Sequence, residues 1–330
     1  MWPECRLLLR KGVVGCMDTK QNPTIDVIIP VYKPDENFQK LIKRLMNQTV
    51  VPNHIFILQT IDKEGDRLVH PEDAKISVHP VLKPHFDHGA TRDFGAGLSK
   101  ADYLLFMTQD AMPADSHLLE CLLAPFMEQK TAICYGRQLA REGADILEQL
   151  ARNHNYPEQD ETKSLEDLER LGIKTYFCSD VCAMYRRTVY DEMGGFVHPT
   201  IFNEDMIMAS AVIHAGYQVV YCARAKVIHS HSYSCMQQFH RNFDLGVSQR
   251  QYHQVFDEIS SEKEGAGFAR QSLIYLLKRG KAGKAFYFAL QCGFKLLGYQ
   301  LGKRYDRLPR KLVLVCTTNP SYREFQKKHK

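Results

Sequence analysis

Acidic residues at two places in the chain have the chemistry of a metal ligand and of a general base. Asp110 lies in MTQDAMP after the apolar run DYLLFM, where its carboxylate could reach a divalent cation bound to a diphosphate. Glu204 and Asp205 are adjacent in FNEDM, and the proximity of two like charges can raise a carboxylate pKa and produce a general base. The simpler interpretation makes Asp110 a helix cap and the adjacent acids partners of a helix dipole.

A pair of histidines could supply further ligands. His229 and His231 alternate in VIHSHSYS, just after a segment with the composition of a strand. Residues two apart on extended backbone point their side chains to the same side, so the two imidazoles could bind one metal ion or one phosphate. The alternative is a pair of structural histidines whose hydrogen bonds are satisfied within the fold.

The stretch FDHGATRDFG, residues 86–95, gathers titratable side chains and glycines. Gly89 would let the backbone approach a ligand closely, and Arg92 can place two hydrogen bonds on phosphate or carboxylate oxygens. The start of the helix that follows offers unpaired N–H groups to phosphate. A polar loop or a solvated helix face would explain the same residues. The motifs G-x-x-x-x-G-K-[ST] and G-x-G-x-x-G do not occur, which excludes ordinary P-loop and Rossmann cofactor sites.

An alternation of strand and helix patterns positions these residues. From residue 24 to residue 135 it predicts an α/β fold with a mostly parallel sheet flanked by helices. Ligands of such sheets bind beyond the carboxyl ends of the strands, and the polar clusters follow predicted strands. The predicted strands are 24–31, 54–58, 75–79, 102–107, 132–135, 176–185 and 218–229, and the predicted helices are 37–48, 91–100, 116–129 and 203–215. Residues 141–171 predict an inserted helical excursion or a mobile loop.

The two ends of the chain differ from its centre. Residues 1–23 predict an N-terminal extension, either disordered or translated through a misassigned start codon ahead of Met17. Residues 236–330 are helical and basic in pattern, which suits an anionic membrane surface or substrate, a solvated face being the alternative. The ten cysteines are scattered and no run of 18 apolar residues occurs, so we expect a reduced, cytoplasmic protein without a membrane-spanning helix. We expect no nucleic-acid partner.

The order of these motifs resembles the family 2 glycosyltransferases. DVIIPVYKP near the start, the loop with Arg92, the turn with Asp110, and GGF followed by N-E-D succeed one another over residues 24–235 as in that family. Within the family, F-x-H-G-x-T-R, T-Q-D-A-x-P and H-S-H-S-Y-S look most like bacterial rhamnosyltransferases that use dTDP-L-rhamnose in cell-wall polysaccharide synthesis.

This resemblance implies a GT-A (nucleotide-diphospho-sugar transferase) catalytic domain at residues 24–235, followed by the helical C-terminal extension. It implies an inverting transfer of L-rhamnose from dTDP-β-L-rhamnose to a hydroxyl of a lipid-linked or polysaccharide acceptor, with Mn²⁺ or Mg²⁺ as cofactor. The implied site residues are Asp205 as the base with Glu204 positioning it, Asp110 with His229 or His231 as metal ligands, Asp180 on the acceptor side, and Pro30, Val31, Tyr32, Gln59, Thr60, His88, Gly89, Arg92 and Gln109 around the donor.

Two departures from the family pattern keep other functions open. Thr108 replaces the first acid of the D-x-D turn, and the second strand ends in ILQTIDKEGD, so Gln59 or Thr60 would have to read the nucleotide base. The alternatives are a UDP-hexose or galactofuranose donor, or a non-catalytic nucleotide-sugar-binding protein, which would not need the acids of N-E-D. Residues 271–301 predict either a basic amphipathic helix pair on the inner membrane leaflet, or packing against the catalytic domain or a second subunit.

Overall fold

The structure, a computed structural model, describes residues 23–257 and 262–322, so the predicted N-terminal extension lies outside the described residues apart from Pro23. These residues contain one nine-stranded sheet covered by helices, and the predicted α/β class is confirmed. The strands are β1 (Ile25–Tyr32), β2 (His54–Ile61), β3 (Ile76–Leu82), β4 (Tyr103–Met107), β5 (Met112–Pro113), β6 (Thr131–Leu139), β7 (Glu161–Lys163), β8 (Cys182–Arg186) and β9 (Gln218–Ile228).

Helices connect and cover these strands. Helix α2 begins three residues before its predicted start, because Asp87 caps it: the carboxylate Oδ1 accepts the N–H of Ala90 at 2.9 Å. The α-helices in the described ranges are α1 (Glu36–Met46), α2 (His88–Leu98), α3 (Leu118–Leu123), α4 (Ile146–Asn155), α5 (Leu168–Leu171), α6 (Arg187–Glu192), α7 (Glu204–His214), α8 (Cys235–Gln251), α9 (His253–Phe256), α10 (Glu262–Lys278), α11 (Ala282–Gly302) and α12 (Arg310–Cys316).

The sheet is mixed, with its parallel part at one end. Strands β3, β2, β1 and β4 are parallel neighbours, whereas β8 lies antiparallel between β4 and β6. Strand β9 is parallel to β6, and the short strands β5 and β7 run antiparallel to β9. The regular alternation of strands and helices, which predicted a mostly parallel sheet, ends at β6. After β6 the chain forms the inserted segment with α4, β7 and α5, and only then enters the sheet again as β8.

Each face of the sheet buries its own hydrophobic cluster. Ile25, Val27, Ile29 and Val31 of β1 belong to one cluster together with α1, while Ile28 belongs to the other. This alternation is the period of two of a strand that is buried on both faces. Val31 is therefore a core residue, only 2% exposed, and the expectation that its side chain lines a nucleotide pocket is corrected.

The C-terminal helices pack on each other and on the rest of the chain. A Cβ at Gly298 or Gly302 of α11 would collide with a carbonyl oxygen of α8, so these two helices meet at backbone distance. Phe288 of α11 packs with Leu147 of α4. One face of the segment 271–301 thus packs against residues of the predicted catalytic domain, 24–235. Such packing was one of the two predicted alternatives for this segment. None of the described helices combines the length and hydropathy needed to cross a membrane.

Candidate active site

Asp110, His229 and His231 meet beyond the ends of β4 and β9. Nε2 of His231 lies 3.0 Å from Oδ2 of Asp110, and Nε2 of His229 lies 3.5 Å from Oδ1. The two Nε2 atoms are 2.8 Å apart. The short strand β5 brings the three together, because Met112 pairs with Ile228 and so places the turn with Asp110 beside the segment that follows β9. The cap that the simpler interpretation assigned to Asp110 is absent, since α3 begins only at Leu118.

This cluster has the donor set of a divalent-cation site. One potential ligand atom from each residue lies within 4.8 Å of the others, and two imidazoles with a carboxylate form a common transition-metal ligand set. Burial by itself would raise the pKa of Asp110, but hydrogen bonds from His229 and His231 outweigh it and hold that pKa far below the usual range. Two imidazole nitrogens that face each other at 2.8 Å need a shared proton or a shared cation, so the residues present fit a metal.

Side chains of β6 and α4 hold the histidines in place. Oε1 of Gln138 lies 2.8 Å and Nη2 of Arg152 lies 3.2 Å from Nδ1 of His229. With a metal on Nε2, Nδ1 would carry the proton, which the amide oxygen of Gln138 can accept. Arg152 donates to the same oxygen, which fixes the orientation of the amide. Oε1 of Glu148 accepts the backbone N–H of His231 at 2.9 Å. None of these three residues was predicted from the sequence, since no motif marks a supporting residue on a neighbouring element.

A second cluster buries three carboxyl groups around one arginine. Nη1 of Arg92 lies 2.9 Å from Oε1 of Glu204, and its Nε lies 3.7 Å from Oδ2 of Asp180. The backbone N–H of Asp180 donates to Oδ2 of Asp205 at 3.2 Å, and the hydroxyl of Tyr185 donates to Oδ1 of Asp180 at 2.6 Å. This arrangement ties the predicted base to the start of α2 and to the loop before β8.

Burial and mutual repulsion raise the proton affinity of Asp180 and Asp205. Burial first, and then the nearby charges of Glu204 and Asp180, raise the pKa of Asp205 well above its ordinary value. Burial also raises the pKa of Asp180 to about 7, although the charge of Arg92 opposes the shift. Asn203, the residue before the pair, adopts a left-handed backbone with a φ of 68°, a conformation that asparagine tolerates better than most residues. Its turn directs Glu204 and Asp205 into the cluster.

The positions of Arg92 and Gly89 correct two expectations. Arg92 is buried as the counter-ion of the acids, so its guanidinium does not face an open diphosphate site. A Cβ at Gly89 would collide with the carbonyl oxygen of Val197, so this glycine allows the approach of a protein segment and not of a ligand. Asp180 is buried and its backbone N–H binds Asp205, so its expected place on the acceptor side stays a prediction. Buried acids require a paired cation, and that requirement decides where Arg92 lies.

Two glutamines that were expected to contact the donor form hydrogen bonds with backbone groups of the protein. The amide of Gln59 accepts the N–H of Val69 at 2.9 Å and donates to the carbonyl of Arg67 at 3.0 Å. The amide of Gln109 accepts the N–H of Tyr32 at 2.7 Å and donates to the carbonyl of the same residue at 3.1 Å. Both amides thus bind backbone groups of the protein, and their expected contact with the nucleotide stays a prediction.

Three other donor-side residues keep accessible atoms, whereas Thr60 does not. Pro30 and Tyr32 are half-buried at the end of β1, Thr60 is buried near the end of β2, and His88 is partly exposed at the first turn of α2. An exposed trio joins the ends of three strands: the hydroxyl of Tyr32 lies 3.0 Å from Oδ1 of Asp62 and 2.8 Å from Nζ of Lys83. Asp62 and Lys83 were missed because the second strand was predicted to end at Leu58.

Asp205 and the histidine pair open on one cavity. Its volume is about 1060 Å³, and its lining includes Asp205, His229 and His231. The inserted segment adds Arg152 on one side, and helix α11 adds Tyr287 and Lys295 on another. A molecule in this cavity would contact Asp205, the predicted base, together with the two histidines of the candidate metal site. It would also contact the C-terminal helices.

Comparisons with known sequences give the family. The model of the family described as "Glycosyl transferase family 2" matches residues 26–194. Among curated proteins, the O-antigen chain rhamnosyltransferase RfbN of Salmonella typhimurium is 37% identical over 307 residues, which are 90% of this chain and 95% of RfbN. The O-antigen chain rhamnosyltransferase WbaN of Salmonella anatum is 36% identical over 311 residues, which are 91% of this chain and 96% of WbaN.

Comparisons with solved structures give the fold. The mannosyltransferase PcManGT of Pyrobaculum calidifontis, solved with GDP-Man and Mn²⁺, superposes with a TM-score of 0.58 at 10% identity, over 88% of this chain and 90% of that one. A 1–349 fragment of TarS from S. aureus superposes with a TM-score of 0.51 at 12% identity, over 86% and 91% of the two chains. The expected GT-A fold is confirmed.

Proposed function

The chain belongs to glycosyl transferase family 2, and as the reaction of this glycosyltransferase we propose the transfer of L-rhamnose from dTDP-β-L-rhamnose to a hydroxyl of a lipid-linked or polysaccharide acceptor. The names of both curated relatives support the choice of sugar, because those alignments span nearly the whole chain. The observation that carries the reaction type is the opening of Asp205 and of the histidine pair on one cavity.

In this proposal Asp205 is the general base. The acceptor oxygen bonds to C1 of rhamnose while the bond from C1 to the diphosphate breaks, the hydroxyl proton passes to a carboxylate oxygen of Asp205, and dTDP leaves. Attack on the face opposite the leaving group converts the β-linked donor into an α-linked product. Because a carboxylate of raised pKa holds a proton more firmly, burial beside Glu204 and Asp180 makes Asp205 a stronger base.

Glu204, Asp180 and Arg92 act in the proposal as positioning residues. Glu204 binds the guanidinium of Arg92 at 2.9 Å, and the backbone N–H of Asp180 fixes one oxygen of Asp205. The other oxygen of Asp205 accepts the backbone N–H of Met206 at 2.7 Å, and its second lone pair would take the proton of the acceptor. The positive charge of Arg92 favours the ionised form of the acids, which a general base requires before it takes the proton.

Asp110, His229 and His231 would hold Mn²⁺ or Mg²⁺ at the donor. A divalent cation bound there would stabilise the negative charge that develops on the departing diphosphate. The two histidines offer ligands that compensate for Thr108 in place of the first acid of the D-x-D turn. Hydrogen bonds that the histidines make to oxygens of Gln138 and Glu148 would keep the histidines in place before the donor arrives.

The exposed trio at the ends of β1 to β3 suits the nucleotide base in this proposal. Asp62 can accept a hydrogen bond from the ring N–H of thymine or uracil, and Tyr32 offers an aromatic face. Both bases carry that N–H, so the trio by itself does not select dTDP over UDP. We therefore rest the choice of dTDP on the rhamnosyltransferase relatives.

The cavity beside Asp205 would receive the acceptor, and we place the reaction at the cytoplasmic face of the membrane, where the enzyme would meet a lipid-linked glycan. A donor screen tests the proposal: purified protein with Mn²⁺ is supplied with dTDP-L-rhamnose, UDP-glucose, UDP-galactose and UDP-galactofuranose, and nucleotide release and sugar transfer are measured. We expect dTDP-L-rhamnose to be preferred. A preference for any UDP-sugar would contradict the proposed donor.

A further inference from the structure

Helix α11 presents an apolar stripe that no described residue covers. Phe286, Leu290 and Leu297, at spacings of four and seven residues, are 68%, 42% and 54% exposed. Such spacing places them on one side of a helix. Together with Ala289 and Gly293 they line a shallow apolar groove. We call Phe286, Leu290 and Leu297 the outward stripe. Single exposed apolar residues are common on proteins, but a continuous stripe along one helix marks an interaction surface.

The opposite face of the same helix belongs to the protein interior. Phe288 and Gln291 of α11 are buried, and Gly298 and Gly302 contact the backbone of α8. The same helix also supplies Tyr287 and Lys295 to the wall of the cavity that contains Asp205. Helix α11 therefore separates the cavity from the surface that carries the outward stripe.

The charged residues of helix α11 and of the turn before it are all basic. Between Glu264 and Asp306 the sequence has no acidic residue and eight lysines and arginines. Four of these, Lys278, Arg279, Lys281 and Lys284, lie exposed at the turn from α10 to α11, beside the first residues of the outward stripe. We call these four residues the basic turn. One of them, Lys284, also pairs with Asp145.

This combination distinguishes between the partners that could cover the stripe. A second copy of the chain packed through this face about a two-fold axis would set two regions that contain only basic charges against each other, and like charges would repel. An anionic lipid surface offers hydrocarbon to the stripe and negative headgroups to the basic turn. Apolar side chains flanked by lysines and arginines are the composition of helices that lie in the membrane interface.

We propose that the outward stripe and the basic turn dock the protein on a bilayer that contains anionic phospholipids. The purpose of this contact rests on the proposed function, because a lipid-linked acceptor is held at the bilayer surface. Docked through α11, the protein would bring the cavity wall formed by Tyr287 and Lys295 next to the headgroups. The binding itself needs neither donor nor acceptor, so it can be measured separately from the reaction.

Flotation of the full-length protein with lipid vesicles tests the surface. Vesicles of phosphatidylcholine with phosphatidylglycerol are compared with vesicles of phosphatidylcholine alone. We expect the wild type to float with the anionic vesicles, and the variant Phe286→Glu/Leu290→Glu/Leu297→Glu to partition about tenfold or more weakly. The matched control is Val51→Glu/Met127→Glu, which also places acids at exposed apolar positions, 43% and 89% exposed, but in the catalytic part. It should float like the wild type.

A second variant tests the charge, and circular dichroism with thermal unfolding checks that every variant is folded. Lys278→Ala/Arg279→Ala/Lys281→Ala should lose most of the preference for anionic vesicles, and added salt should weaken wild-type flotation in the same way. Wild-type protein that stays unbound with both vesicle types would overturn the proposal. So would a folded stripe variant that binds as tightly as the wild type, or a wild-type dimer that the stripe variant converts to monomer in light scattering.

The two proposals can fail independently. If the donor screen selects a UDP-sugar while flotation depends on the stripe, the docking surface stands and the proposed donor is wrong. If the donor screen selects dTDP-L-rhamnose while the protein ignores vesicles, the reaction stands and the docking surface is wrong.

Discussion

The guanidinium of Arg92 and the carboxylate of Glu204 form a buried ion pair, with Nη1 2.9 Å from Oε1. Helix α2 contributes the arginine and helix α7 the acid, so the pair links two elements that lie more than 100 residues apart in sequence. Asp180 and Asp205 complete the group, which contains three acids and one described arginine. Burying unpaired carboxylates costs several kcal/mol of free energy, so the buried base is stable only with a buried cation. This requirement explains the position of Arg92.

Arg92→Met should lower the free energy of unfolding by about 3–5 kcal/mol, because it leaves buried carboxyl groups without their counter-ion. Urea unfolding followed by circular dichroism measures the change. Arg170→Met is the matched control, since the ion pairs of Arg170 with Glu161 and Asp167 are exposed and should change stability by less than about 1 kcal/mol. If the Arg92→Met protein is as stable as the wild type but no longer binds the donor, Arg92 binds the diphosphate and is not the counter-ion of the buried acids.

Asp110→Asn and His231→Gln should each weaken Mn²⁺ binding, because each removes a ligand of the proposed site. Isothermal titration with Mn²⁺ in the presence and absence of dTDP measures the affinity. His117→Gln serves as the control, since His117 is exposed and pairs with Glu120 away from the cluster. Equal Mn²⁺ affinity in the wild type and the two ligand variants would exclude a metal site at these residues.

Gln138→Leu should weaken Mn²⁺ binding about 10–100-fold without removing a ligand, because the proton on Nδ1 of His229 loses its acceptor. Gln138→Glu keeps an oxygen acceptor and should retain far more of the affinity. The comparison is made by the same titration. If both substitutions had the same small effect, Gln138 would not orient the histidine.

Asp180 should make the stability of the fold depend on pH between about 4 and about 7. Its pKa is about 7 in the folded protein and near 3.9 in an unfolded chain, so in this interval the folded state binds a proton that the unfolded state has lost. The free energy of unfolding therefore contains a contribution that is complete below pH about 4 and decreases as the pH rises to about 7. Urea unfolding at several pH values should show a smaller decrease for Asp180→Asn than for the wild type. Identical slopes would contradict the raised pKa.

Local patterns in the sequence predict most of the fold. Strand β1 was predicted within one residue at each end, because a β-branched apolar run is typical of a strand buried on both faces. The predicted strand 176–185 begins only at Cys182, since Gly172–Tyr176 is a 3₁₀ turn whose Tyr176 is as buried as a strand residue. A buried strand and a buried 3₁₀ turn have the same apolar composition, so composition alone does not distinguish the two conformations.

The site was harder to predict because residue type does not show which neighbour a side chain contacts. Asp110, His229 and His231 come together as the family resemblance implied, since strand ends meet at one edge of the sheet. Arg92 and Gln109 have the chemistry of ligand-binding residues, yet each contacts protein groups from distant positions in the chain, and Gln59 binds the loop that follows its own strand. Those contacts depend on the packing of loops, which a strand or helix period does not encode.

The central claim is that Asp205 takes the proton of the acceptor hydroxyl, and one substitution tests it directly. The kcat of rhamnosyl transfer and the Kd for dTDP-L-rhamnose are measured for the wild type and for Asp205→Asn, which keeps the size of the side chain and cannot act as a base. The account predicts a loss of about 10²–10⁴-fold in kcat with an unchanged Kd. A folded Asp205→Asn protein that transfers rhamnose at the wild-type rate would contradict it.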